Sequence, residues 1–206
     1  MRTKLTFGAS LLFLLSLAIL VTIYLAWILY PFEISWLNLT SRVHLKSEII
    51  HYNFHILMDY LTNPFNQVLE MPDFPSSVSG LHHFAVVKAF FHLTQGVALV
   101  SLPVFFLFWK NVVRKGFLSL YRKPLVFMVG LPVGLGLFSL FIGFEQFFTL
   151  FHQILFVGDD TWLFDPAKDP VILILPENFF LHCFILFFGI YELIFVFFYI
   201  KSRNGK

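Results

Sequence analysis

Apolar residues in this chain come in long unbroken runs, not in the alternating or three-and-four spacings of a soluble fold. Four runs stand out, over residues 5–30, 84–109, 125–151 and 179–200. At about 1.5 Å rise per residue, each can cross a hydrocarbon layer of about 30 Å as a helix. Lipid offers no partner to a backbone amide, so a spanning segment must satisfy its own and helices are the expected form. The pattern predicts an all-α polytopic membrane protein, a single membrane domain over residues 1–206 with four transmembrane helices. The first run follows Met1, Arg2, Thr3 and Lys4 and is longer than the roughly 7–15 residue apolar core of a secretory signal. No small-residue cleavage site follows it, so it reads as an uncleaved anchor.

Between the runs lie two polar sections, residues 32–83 and 152–178, and a short basic link over 110–123. In the first section, Leu45, Ile49, Tyr52, Ile56 and Tyr60 recur at helical spacing, which predicts a helix from His44 to Leu61 closed by Asn63-Pro64. Pro72, Pro75 and Gly80 break the remainder into turns. Two short apolar stretches, Gln67–Met71 and Val171–Leu175, read as strands, the second β-branched at three positions and closed by Pro176. Together the two sections predict a small extracellular cap, one helix plus short strands. Pro103 and the series Gly130, Pro132, Gly134, Gly136 and Gly143 interrupt the second and third runs, as close helix packing and tolerated kinks do.

Composition agrees with a membrane solvent: 58% of residues are hydrophobic, 13% are charged, and mean hydropathy is +0.81. The net charge of +2 matters less than its placement. With four spans, ten of the fourteen basic residues fall on one face, among them Arg2, Lys4, Lys110, Arg114, Lys115 and Lys206. Ten of the twelve acids fall in the two polar sections on the other face. The positive-inside rule then puts both termini in the cytoplasm and the polar sections outside. Nothing in this balance suggests nucleic acid as a partner. One cysteine excludes an internal disulfide.

Candidate chemistry collects at the outer ends of the spans. His83 opens the second run and His152 closes the third. At about 1.5 Å per residue both lie roughly 40 Å from the inner boundary, so two imidazoles share one depth. Lys88, His92 and Gln95 follow at i, i+4 and i+7 on one helical face, and Glu145 and His152 are likewise seven apart. Polar side chains inside a span usually face a bundle or cavity, so these stripes outline a recess that a small transporter or channel would also need. The 151–180 segment adds Asp159, Asp160, Trp162, Asp165, Asp169 and Glu177. His51 and His55 have metal spacing without a third ligand, and His92 with His182 would suit a haem, so neither pair carries a metal or cofactor assignment. Cys183 has His182 as neighbour, turned about 100° away on a helix and unable to act as its base. With no nucleophile elbow, Walker loop or dinucleotide fingerprint, acid–base histidines without a covalent intermediate fit the inventory.

The run F-H-Q-I-L-F-V-G-D-D-T-W-L-F-D-P-A-K-D-P-V-I-L-I-L-P-E-N-F-F, residues 151–180, resembles the outer loop of bacterial lipoprotein intramolecular transacylases, and S-G-L-H-H-F-A-V-V-K, residues 79–88, resembles their approach to the second span. Aligning on Lys88 selects His83; where the family carries an acidic residue three positions later, this chain has Val86. The resemblance covers essentially the whole chain. It implies a multi-pass enzyme of the bacterial cell membrane that needs no cofactor or metal, acts on diacylglyceryl-modified lipoproteins and works as a monomer. The implied reaction moves the sn-2 acyl chain of the diacylglyceryl-cysteine to that cysteine's own α-amino group, giving the lyso form. It also implies His83 and His152 as the catalytic pair, with the base and acid roles unassigned. Lys88, Glu145, Asp160, Trp162 and Glu177 are candidate supporting residues. Phe151, Trp162, Phe164, Phe179 and Phe180 would supply an aromatic wall.

Overall fold

A computed structural model of the chain describes residues 2–203, with side chains from Leu5 onward. Lys206 and the side chains of Arg2 and Lys4, counted above in the charge bias, lie outside the described residues. Among the described residues, seven α-helices follow in order: α1 (Arg2–Trp36), α2 (Leu39–Val43), α3 (Ser47–Thr62), α4 (Val78–Phe108), α5 (Arg122–Ile142), α6 (Phe144–Leu155) and α7 (Glu177–Arg203). A π-helical stretch at Trp109–Val113 extends α4, and 3-10 turns precede α5 and α7. Four segments of the described residues are long and apolar enough to cross a membrane: Leu5–Trp36, Val78–Val113, Phe117–Ile142 and Glu177–Arg203. The chain is an all-α integral membrane protein.

The third run departs from the single helix its apolar length predicts. Gly143 adopts φ +86°, ψ 147°, a backbone region essentially closed to residues with a Cβ. The helix therefore ends at Ile142, and the His152-bearing residues start afresh as α6. Span length is thus not what brings His152 into position.

The chain divides into two compact units. One, Met1–Thr22 with Thr94–Phe144 and Phe184–Lys206, holds most of the spanning length. Its core packs Phe13, Leu14, Ala18, Phe108, Leu118, Leu125 and Phe195. The other, Ile23–Leu93 with Glu145–Cys183, contains both polar sections. Here α3 lays Ile50, Phe54, Leu57, Met58 and Leu61 into the core. Phe54 stacks on Tyr30 at 3.5 Å and meets Phe179 edge-on at 5.8 Å. This face is offset from the predicted one: Tyr52 is exposed, while Ile50 and Phe54 are buried. The helix begins at Ser47, after a left-handed His44 at φ 54°. It ends where Pro64 forces Asn63 to the extended region, φ −93°, ψ 114°.

Neither predicted strand forms, and no strand occurs among the described residues. Pro170 starts a 3-10 turn, Pro170–Leu173, which buries Val171, Ile174 and Leu175 on one side. No second strand lies alongside to complete a ladder, so the backbone is satisfied locally, and the Tyr30 hydroxyl donates to the Ile174 carbonyl at 2.7 Å. Gln67–Met71 is irregular, with Leu69 and Met71 turned inward.

One clamp sets where α4 starts. Ser77 is its N-cap: the hydroxyl accepts from the Gly80 amide at 3.0 Å, the bond a serine cap makes to the third residue of a helix. The same hydroxyl donates to Asp169 Oδ2 at 2.7 Å, and the Ser77 amide donates to Asp169 Oδ1 at 2.7 Å. Asp169 is only 3% exposed, so its carboxylate is held by these bonds and by the positive end of the helix dipole. Gly80 leaves the room: a Cβ there would collide with Asp169 Oδ1 and approach the Phe164 ring. Gly80→Ala is therefore expected to destabilise the protein by about 1–3 kcal/mol, as overpacked sites do. Thermal unfolding in detergent tests this, and an unchanged melting temperature would mean that the carboxylate swings aside without cost.

Candidate active site

The second turn of α4 lies beside α6, with His83 next to His152. His83, on α4, and His152, on α6, are 6% and 9% exposed. Their ring centroids lie 6.3 Å apart with planes inclined by 31°. Consecutive helical residues point about 100° apart, so His82 turns outward while His83 faces α6. His82 reaches Asp159 instead, Nε2 to Oδ2 at 3.1 Å.

Aromatic rings enclose the two imidazoles. Phe148 and Phe156 stand four residues before and after His152 and so share its helical side; their centroids are 4.1 and 5.6 Å from its ring. Phe156 also lies 4.8 Å from His83. Trp162 stacks on His152 at 4.9 Å, and Phe164 meets His83 edge-on at 5.3 Å.

Hydrogen bonding separates the pair. His152 Nδ1 sits 2.8 Å from the Phe148 carbonyl. A carbonyl can only accept, so Nδ1 carries the proton and the Nε2 lone pair is left open in the neutral ring. Burial pushes the His152 pKa below its ordinary value, and the Phe148 bond works against that shift. His83 Nδ1 is buried without a hydrogen-bond partner among the described residues. A buried polar atom left in this state is costly and marks a place where a ligand group can bond. Asp159 has its pKa lowered, chiefly by the Thr161 hydroxyl, then by the Thr161 amide and His82.

The family model for lipoprotein intramolecular transacylase Lit matches residues 4–180. The chain belongs to this family. It is similar to the in meso structure of the membrane integral lipoprotein intramolecular transacylase Lit from Bacillus cereus, with TM-score 0.86 and 29% identity over 98% of this chain and 93% of that one. Two further structures of that enzyme match as well. One carries a histidine-to-arginine mutation, with TM-score 0.77 and 28% identity over 98% and 91% of the two chains. The other carries a histidine-to-alanine mutation, with TM-score 0.76 and 27% identity over 99% and 93%. No curated protein matches. As a member of the transacylase family, the chain is a membrane-integral acyltransferase acting on lipoproteins.

Of the supporting residues expected from sequence, the fold brings Trp162 to the histidine pair and leaves the others apart from it. Lys88 follows His83 by five residues, about 140° around the helix. Its ammonium donates to the Asn66 carbonyl and lies 4.3 Å from the centre of the Tyr60 ring. There it fastens the turn after α3. Glu145 and Glu177 are exposed and sense each other's charge. Asp160 is exposed and offers its carbonyl to the Leu163 amide at 3.1 Å. Phe179 belongs to the Tyr30–Phe54 stack, and Phe180 backs Phe148 at 5.1 Å. Phe148, Phe156 and Asp159 went unassigned from sequence. Four-residue spacing from His152 was the available signal for the two phenylalanines once α6 is treated as a helix.

In the fold His152 resists protonation, whereas an unfolded histidine takes a proton near pH 6.5. Below that pH the unfolded chain binds more protons than the folded one, so this group's contribution, complete above about 6.5, is lost as pH falls toward the lowered value. The melting temperature is expected to drop between pH 7.5 and 5, less steeply in His152→Gln. Parallel curves for the two proteins would contradict a depressed His152.

Proposed function

We propose that His83 and His152 carry out the acyl shift as an acid–base pair. The substrate is a diacylglyceryl-cysteine at a lipoprotein N-terminus, the migrating group is its sn-2 acyl chain, and the acceptor is the cysteine α-amine. The observation that carries the reading is the buried pair itself, two imidazoles 6.3 Å apart, with His83 Nδ1 buried and unpartnered among the described residues.

An α-ammonium has a pKa of about 7.7–8.0, so the nucleophile must first shed a proton. His152 is the better base, because its Phe148 bond leaves Nε2 open to accept. The neutral amine attacks the ester carbonyl carbon, forming the C–N bond, and the carbonyl oxygen gathers negative charge. His83 donates a hydrogen bond to that oxygen or a proton to the departing glyceryl oxygen as the C–O bond breaks. The amine's second proton leaves through a histidine, so one amide and one hydroxyl replace one amine and one ester. Amine and ester belong to one molecule, so the protein's larger task is to fold that molecule into reach. The rigid rings of Phe148, Phe156, Trp162 and Phe164 suit that task.

The enzyme acts as a monomer, with both termini cytoplasmic and the histidine pair facing outward under a cap formed by residues 32–83 and 152–178. The one-sided placement of lysine and arginine supports this orientation.

In a lipopeptide assay read by fragment mass spectrometry, His83→Ala and His152→Ala are each expected to lower N-acyl product formation by about 10²-fold or more. Full activity in both variants would overturn the reading. Fragmentation is required because the shift leaves total mass unchanged.

A further inference from the structure

Both imidazoles are covered by one short segment, and that segment is fastened at an exposed point. From Phe156 to Phe164 the chain is a series of tight turns. The Phe156 amide donates to the His152 carbonyl at 2.8 Å, Asp159 N to Phe156 O at 3.0 Å, and Phe164 N to Trp162 O at 3.1 Å. Gly158, at φ +79°, permits the reversal. Asp159 Oδ1 accepts from the Thr161 amide at 2.9 Å and from its hydroxyl at 2.5 Å. That bonding fixes the turn from which Trp162 projects onto His152. Among the described residues, the one side-chain bond from this segment to another element is Asp159 Oδ2 to His82 Nε2. Farther along, the buried Asp169 ties the chain to Ser77 at the N-terminus of α4.

We propose that His82 is a positioning residue: its bond to Asp159 holds the Phe156–Phe164 segment against α4 and keeps Trp162 seated on His152. The inference rests on the histidine pair being the reactive centre. The two straps differ in kind. Asp169 is buried and belongs to the fold, whereas the His82 and Asp159 side chains are 58% and 24% exposed, so this bond can open without disturbing the core. The rings it holds down cover the pair. Closing the strap then fixes the imidazole that accepts the proton. His82 does not touch the reacting atoms in this scheme, so its loss impairs turnover by letting the site loosen.

The test measures wild type, His82→Ala, His82→Gln, Asp159→Ala and the His82→Ala/Asp159→Ala double variant on a diacylglyceryl lipopeptide in detergent micelles. His82→Ala is expected to lower kcat about 10-fold or more, the scale of a slight misplacement at a reacting centre, with KM near wild type. Glutamine retains an N–H donor at similar reach and should restore most of the rate. The double variant should fall no further than Asp159→Ala alone, because both remove the same strap. Hydrogen exchange in His82→Ala should quicken at the amides of Asp159, Thr161 and Phe164 and stay unchanged in α3. A wild-type rate for His82→Ala, multiplying losses in the double variant, no rescue by glutamine, or unchanged exchange in the segment would each overturn the proposal. Should His82→Ala fail to fold, His82→Gln and Asp159→Ala decide it: near-wild-type turnover in the first with loss in the second supports the strap, and equal rates overturn it. Persistent activity in His83→Ala and His152→Ala would instead remove the reading beneath it.

Discussion

The carboxylate of Asp169 fixes the frame in which everything at the site is placed. A helix begins with amides that have no intrahelical acceptor, and α4 resolves this by bonding its Ser77 cap to an acid from a distant part of the sequence. The register of α4 and the path of the segment before α7 are thereby set by one side chain. Gly80 leaves room for that carboxylate and for Phe164, and Phe164 then meets His83. Moving the acid would move both the helix that carries one imidazole and the ring that covers it. Buried and bonded this way, Asp169 contributes little net energy, and losing any one of its donors is costly.

The aromatic cover and the polar anchors divide the work. Rings supply contact area at low side-chain entropy cost and hold the imidazoles at fixed angles. The Phe148 carbonyl adds what rings cannot, a choice of tautomer for His152. Lys88, a candidate supporting residue by sequence, bonds to the Asn66 carbonyl and lies over the Tyr60 ring on another side of α4.

The spans were legible because about 20 consecutive apolar residues have few other readings. The two histidines were legible as polar residues at span ends, though for a partly mistaken reason: equal span length does not set their depth, since Gly143 ends the helix before His152. A glycine in an apolar run can sit inside a helix or end one, and its φ tells the cases apart. The Val171–Leu175 run had strand composition without a strand to pair with, so packing against Tyr30 decided its form. The offset of α3 follows from the same cause, because Ile50 and Phe54 are chosen by what lies opposite and not by spacing within the helix. Asp159 was hidden as one of four aspartates in a single segment. What distinguishes it is contact with His82, 77 positions away, which no local pattern encodes.

Two imidazoles at 6% and 9% exposure also bear on what the enzyme must avoid doing. In the proposed reaction an ester beside a base is open to water as well as to an amine, and attack by water would release a free fatty acid and leave the lipoprotein one acyl chain short. Bulk water outnumbers any single amine, so selectivity between the two nucleophiles rests on access more than on intrinsic reactivity. Phe148, Phe156, Trp162 and Phe164 leave little route for solvent to the ring nitrogens. In the proposed mechanism the same wall thus separates a transferase from a lipase.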